Sequence, residues 1–293
     1  MASHQPGILA PLPPAARYLT FIHKLDTDPR PVLQMLAQQA EGDRILAGFG
    51  PSLVQLLGAK VLGLHEMPAL SGAAVEVPST PASLWLWLRG DDRGELVNLS
   101  RKLRSLLAPA FELRDAVDGF THRHNRDLSG YEDGTENPKD EEALVAAIVQ
   151  NERPGYEGSS FVAVQQWLHN LNHFESLAQK ERDYIMGRRQ SDNEELENAP
   201  ESAHVKRSAQ EDFTPPAFMF RRSMPWNDAT RDGLMFVAFG HTLQAFEAIM
   251  RRMVGLDDGI TDGLFRYTRP LNGAYFWCPP LKDGKLDLSL LKL

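Results

Sequence analysis

Three short stretches carry residue types that can do chemistry. The first, SGYEDGTENP at 129–138, sets Asp133 among Gly130, Gly134, Asn137 and Pro138. A turn needs only two or three such residues, so the surplus asks for a chemical reason. Glycines at 130 and 134 let a backbone pass close to a flat ligand. Two plainer readings fit the same letters. Asp133, Glu136 and Asp140 are oxygen donors of the kind calcium takes, although their spacing departs from the twelve-residue EF-hand loop. Alternatively, the stretch is an inter-domain turn followed by a helix with an acidic first turn at Asp140, Glu141 and Glu142.

The second stretch, ESAHVKR, places His204 next to Lys206 and Arg207 inside a long polar segment, 188–216, where a packing role is less natural than in a strand. The third, FRRSMPW, carries Arg221, Arg222 and Ser223 into an otherwise apolar strand. An arginine there requires a partner or an anionic ligand; a bridge from the strand edge to a surface carboxylate is the alternative. The remaining histidines offer less. His169 and His173 stand four apart, as a helical metal pair would, but the pattern straddles an expected strand end. His122 and His124, beside Arg123 and Arg126, read as a solvated basic loop. His4, His23, His65 and His241 have no evident partner set.

These side chains need elements to hold them. A Pro-rich arm from Pro6 to Pro14 cannot be regular helix and is expected to lie extended on the surface or against another subunit. Strands are expected at 17–25, 83–89 and 111–120, with helices at 29–40 and 94–108; in the latter Leu96, Leu99, Leu103, Leu106 and Leu107 form one stripe. The second half gives strands at 159–171, 217–226, 233–240 and 273–278, and helices at 173–189 and 241–255. Two runs of strand, helix, strand, strand, helix, strand describe an α+β protein of two ferredoxin-like domains, divided as 1–145 and 146–293. The long irregular segment between residues 188 and 216 is of the kind that is functional or disordered.

Bulk properties narrow the classes. With 293 residues, 42% hydrophobic and 24% charged, the chain suits a globular protein with a real core. Its formal charge of -8 argues against nucleic acid as the main partner. A single cysteine, Cys278, permits no internal disulfide and is expected to be a buried, inert thiol. No stretch approaches a membrane span and the start lacks a signal-peptide pattern; a cytoplasmic protein without membrane contact is expected.

Taken together, the pieces resemble the dye-decolorizing peroxidases, specifically the bacterial B-type branch. The resemblance covers nearly the whole chain: QPGILAPLPPAARYLTF, the Gly-x-x-Asp-Gly signature as GYEDG with TENP behind it, SAHVKR, FRRSMPW and RYTRPLNGAYFWCPP. It implies two ferredoxin-like domains holding haem b, with hydrogen peroxide reduced through a high-valent ferryl intermediate and dyes, phenolics or Mn(II) oxidised one electron at a time. By position, His204 matches the axial iron ligand, Asp133 the distal aspartate, Arg221 the distal arginine and Ser223 the next distal position. Gly134 flanks the haem, and Arg207 or Lys206 meets its propionates. Asp262, favoured over Asp257 and Asp258, accepts the other ring proton of His204.

Physical chemistry suits those types. Asp133 would move a proton between the two peroxide oxygens, and Arg221 would supply fixed positive charge. The Arg221 charge would also hold Asp133 ionised into acid, giving an acidic optimum. Bulky donors would deliver electrons through surface aromatics such as Trp226 or Tyr131, with packing the plainer reading for any single Trp or Tyr. The same residues admit a haem-binding or haem-delivery protein with incidental peroxidase activity, and a metal-free interaction module would purify colourless. A homo-oligomer is expected from the arm and the family habit. Some B-type members are cargo of encapsulin shells, addressed by a C-terminal tail; KLDLSLLKL reads as a short terminal helix following the last strand, so an encapsulin shell is not expected.

Overall fold

Leucine and tryptophan alternate in SLWLWLR because its strand is packed on both faces. In the computed structural model, which describes residues 3–72, 74–123, 125–150 and 153–293, Leu84, Leu86 and Leu88 belong to one apolar core and Trp85 and Trp87 to another. All five side chains are fully buried. Successive side chains of a strand point to opposite faces, so the sheet here is a wall between two cores.

The main elements of the first half are β1 (Ala15–His23), α1 (Arg30–Gln39), β2 (Ile45–Phe49), β3 (Leu84–Gly90), α2 (Arg93–Leu107) and β4 (Phe111–Phe120). The second contains α3 (Asp140–Ala147), β5 (Ser160–His169), α4 (Leu171–Ser176), α5 (Gln179–Met186), α6 (His204–Arg207), β6 (Phe220–Arg221), β7 (Met224–Asn227), β8 (Asp232–Gly240), α7 (Gln244–Met253), β9 (Thr268–Pro270) and β10 (Ala274–Cys278). In space the strands of the first half run β2, β3, β1, β4, and those of the second β7, β8, β5, β10. Both quartets follow the chain order second, third, first, fourth, and every pairing is antiparallel. Single residue pairs, Trp277 with Phe49 and Gly119 with Trp226, join the quartets at both edges. The eight strands therefore close into a ring, which leaves few free edges.

Inside the ring sit the aromatic residues Tyr18, Trp85, Trp87, Trp226, Phe239 and Phe276. Outside it, α1 and α2 cover the first quartet and α7 the second through one shared core. The alternation aims side chains predictably. Phe220, Met224 and Trp226 go inward with Met235, Val237 and Phe239, whereas Met219, Arg221, Leu234 and Phe236 face out under α7.

Several elements differ from the sequence reading. β2 was not expected: ILAGF is buried at all five positions and shows no alternation to mark it as a strand. The helix expected at 173–189 is two, α4 and α5, because Leu177 and Ala178 are extended; α5 stops at left-handed Gly187. The strand at 217–226 is interrupted at Arg222 and Ser223. The Pro-rich arm packs on its own chain: Gln5 is fully buried, bonding Ala47 and the carbonyl of Pro279. The terminal helix is only a 3-10 turn, Ser289–Leu291. The expectation for His124 falls outside the described residues, and no helix among them is long and apolar enough to cross a membrane.

Candidate active site

A cavity of about 310 Å³ lies on the outer face of the second quartet. Its apolar wall comes from Leu234 and Phe236 of β8 and from Phe246, Ile249, Met250 and Met253 of α7, a single helical stripe. Asp133, His204 and Arg221, which are 71 and 88 residues apart from Asp133 in sequence, all line it.

His204 opens α6 and its ring Nδ1 bonds Asp262 Oδ2 at 2.8 Å. Asp262 is 1% exposed, and its other oxygen accepts from the Leu264 amide at 2.8 Å. A carboxylate that accepts from Nδ1–H fixes the tautomer and leaves Nε2 free as a donor to a metal. The neighbouring acids are engaged elsewhere. Asp257 meets Arg251 at 3.3 Å, and Asp258 takes both terminal nitrogens of Arg207 at 2.7 and 2.8 Å.

Arg207 does not line the cavity: its two terminal nitrogens are taken by Asp258 and the Arg252 carbonyl. The adjacent Lys206 does line it, while bonding Glu201. Ser223 is also absent from the lining; it is buried and its Oγ has no hydrogen-bond partner among the described residues.

The opening loop is held by its own hydrogen bonds. Asn125 Nδ2 donates to the Asp133 carbonyl at 2.8 Å, and the Asp133 amide donates to the Asn125 carbonyl at 3.1 Å. Arg126, expected in a solvated basic loop, instead bonds the Gly130 and Gln190 carbonyls and Glu132. Gly130 and Gly134 have φ of +87° and +77°, a region that favours glycine. A Cβ on Gly130 would lie 2.3 Å from Gln190 Nε2, and one on Gly134 2.8 Å from Asn137 Nδ2. The glycines thus serve the loop's own turns; of the two, only Gly134 lines the cavity.

Asp133 is half-buried, with its open surface on the cavity it lines. Burial pushes its carboxyl above the usual carboxylate range and outweighs the pull of Arg221, His204 and the Gly134 amide; nearby Asp127 adds to the rise. This corrects the expectation that Arg221 holds Asp133 ionised far into acid, since removal from water is the larger effect. The Arg221 guanidinium makes no hydrogen bond to a described residue, so it is available to a ligand.

Three features were not foreseen. Asn137, read as a turn residue, bonds the backbone of Arg221 on both sides. Asp127 and His169 form a pair at 3.1 Å on the cavity wall, and Thr268 Oγ1 holds the other ring nitrogen at 2.6 Å. Burial alone would raise Asp127, but the His169 charge and the Ser129 amide bring its carboxyl down to about 2. Outward projection from β5 was the available signal for His169, whereas His173 sits on α4 away from the cavity. At the rim, Arg188 joins Glu136 at 2.5 Å to Glu195 at 3.2 Å. The aromatics expected at the surface are inside: Trp226 is 2% and Tyr131 3% exposed, with the Tyr131 hydroxyl donating to Asp183 at 2.5 Å. Cys278 is fully buried and burial pushes its thiol up. Among the described residues no group of three His, Cys, Asp or Glu side chains could hold a metal ion unaided.

The family model for the Dyp-type peroxidase C-terminal region matches residues 124–283, more than half of the chain and all of the cavity. A dye-decolorizing peroxidase from Mycolicibacterium paratuberculosis is 28% identical over 97% of this chain and 92% of that protein. A DypB variant from Rhodococcus jostii, solved in complex with heme, has a TM-score of 0.85 at 26% identity over 93% of this chain and 94% of its own. The encapsulated DyP-type peroxidase from Mycobacterium smegmatis has a TM-score of 0.85 at 26% identity, covering 94% and 96%. A carboxylate-backed histidine lining one cavity with an aspartate and an arginine that bonds no described side chain suits peroxide chemistry, and the chain belongs to the Dyp-type peroxidase family, as an enzyme of the dye-decolorizing type.

Proposed function

We propose that the cavity binds haem b with His204 as the side chain that would hold its iron, and that the chain reduces hydrogen peroxide while oxidising dyes, phenolics or Mn(II) by one-electron steps. The observation that carries this reading is the His204–Asp262 bond, which presents Nε2 to the cavity. The donor set fits the group. An imidazole and an apolar wall suit a flat macrocycle, and Lys206 at the rim suits its carboxylates. Bound there, haem supplies the iron at which peroxide is reduced and through which donors lose electrons.

The chain's own residues do the rest. Asp133 accepts a proton from one peroxide oxygen and delivers it to the other. Its raised proton affinity favours the acceptance. Arg221 places fixed positive charge where negative charge develops. Asp262, by accepting the Nδ1 hydrogen, makes His204 a stronger electron donor.

The B-type branch is supported by likeness to DypB, and the repeated strand order supports two ferredoxin-like halves; the division expected between 145 and 146 would cut the helix Asp140–Ala147, so the junction is better placed in the segment between Phe120 and Asp140. Homo-oligomerisation is part of the same proposal. A similar structure is an encapsulated peroxidase, so co-purification with a shell protein is the relevant check on shell association. The catalytic reading is tested by stopped-flow mixing of the haem-loaded protein with peroxide. Asp133→Ala and Arg221→Ala should each slow the reaction at least tenfold; wild-type rates in both would remove these residues from the mechanism.

A further inference from the structure

The same arginine pair that gives the cavity Arg221 sends Arg222 the other way, into the closed ring. Phe220 and Met224, two residues to either side, both belong to the interior core, and the guanidinium lies 4.9 Å from the Phe220 ring centroid. Arg222 is 9% exposed, and its side chain makes no hydrogen bond or ion pair with any described residue; Nε and Nη2 are buried without partners. A buried cation lacking a counter-ion is strongly unfavourable.

Other orphan donors surround it. Tyr18 is 1% exposed and its hydroxyl has no partner; the same holds for Trp87 Nε1 and for Arg89 Nε. These groups are neighbours. Tyr18 and Trp87 are register partners with rings stacked at 5.9 Å, and Arg89 lies over Trp87 at 5.1 Å. The Tyr18 ring approaches Gly119 from the same side as Met224, two residues after Arg222. Arg89 and Arg222 both act electrostatically on Tyr18, and Arg222 feels the Arg89 charge and, from beyond bonding reach, the Asp133 carboxylate. Arg89 has Asp43 as its counter-ion at 2.9 Å; Arg222 has none within bonding reach. Four residues thus present N–H or O–H groups, and what is missing is an acceptor with one negative charge.

We propose that the closed ring holds a small monovalent anion of the halide class, bound by Arg222 Nε and Nη2 with Tyr18 as a further donor. Water satisfies donors but leaves the Arg222 charge with only the longer-range pull of Asp133, whereas an anion adds a bonded counter-charge, so charge decides between the two occupants. The site is on the opposite face of the strand from the cavity, and Asp133 of the cavity acts on Arg222 only from beyond bonding reach.

The test is a thermal unfolding series on the haem-loaded protein in sodium gluconate, replaced stepwise by sodium chloride or bromide at constant ionic strength. A saturable rise in Tm of a few degrees is expected for the wild type, with the rise lost in Arg222→Gln and reduced in Tyr18→Phe. The absorption spectrum taken in the same titration separates this site from halide binding at haem. If Arg222→Gln fails to fold, bromide-soaked wild-type crystals decide: an anomalous peak beside Arg222 supports the proposal. A Tm indifferent to halide, an equal response in Arg222→Gln, or no bromide peak beside Arg222 overturns it in favour of water.

Discussion

The Asn137 side chain bonds the Arg221 backbone twice: Nδ2 donates to the Arg221 carbonyl and Oδ1 accepts the Arg221 amide, both at 2.9 Å. One carboxamide four residues after Asp133 therefore pins the loop of Asp133 to the strand of Arg221. The two groups that the proposed mechanism brings to one peroxide are set relative to each other by this clamp and need no direct bond.

Asn137→Ala should separate them. Two part-buried hydrogen bonds are lost, about 2 kcal/mol of stability, and the peroxide rate constant should fall roughly tenfold through misplacement. Haem content and absorption maximum should stay as in the wild type. An unchanged stopped-flow rate would show that the clamp does not position the pair.

The pH dependence follows from Asp133. Its carboxyl is raised above the usual value by burial, and it must be ionised to take a proton, so the peroxide rate is lost as pH falls through that raised value. Arg221 pulls it down; Arg221→Leu removes the pull, so the acid limb should move to higher pH. A pH profile of kcat/KM for peroxide checks this, and a limb that moves to lower pH would contradict it.

Acid stability depends on Asp127. Its folded value of about 2 lies below an unfolded value near 3.9, so it contributes stability present above pH ~4 and lost as pH falls towards 2. The difference is worth roughly 2 kcal/mol at neutral pH. Asp127→Asn should be less stable at pH 7 and show a shallower acid transition; denaturant melts at pH 7, 4 and 2.5 read both. An acid transition of wild-type steepness would contradict the assignment.

Gly130 and Gly259 separate strain from collision. Both have positive φ, +87° and +79°, but a Cβ at 259 meets nothing within 4 Å whereas one at 130 meets Gln190. Gly259→Ala should cost about 1 kcal/mol. Gly130→Ala should cost about 1 to 2 kcal/mol more by displacing Gln190 from the Ser129 carbonyl, a 3.0 Å bond. Equal losses in urea titrations would mean that Gln190 yields freely.

Legibility in the sequence followed periodicity. The alternation of β3 and the stripe of α2 were readable because each has one period over many residues, while ILAGF, buried on all sides, has none. Asp133, His204 and Arg221 stood out as types misplaced for their surroundings, and the cavity brings them together. Asn137 and Asp127 did not, because asparagine and aspartate are ordinary in turns and their meaning lies in partners 84 and 42 residues away. Arg207 misled for the converse reason: a cation beside His204 invites a ligand, but Asp258 had already claimed it.

The central claim is that His204, backed by Asp262, ligates haem. Absorption spectra of the purified protein titrated with haem test it most directly. The wild type should give a sharp Soret band at one equivalent, and His204→Ala should lose it or show it shifted and weakened. A Soret band of the same position and intensity in His204→Ala would contradict the account.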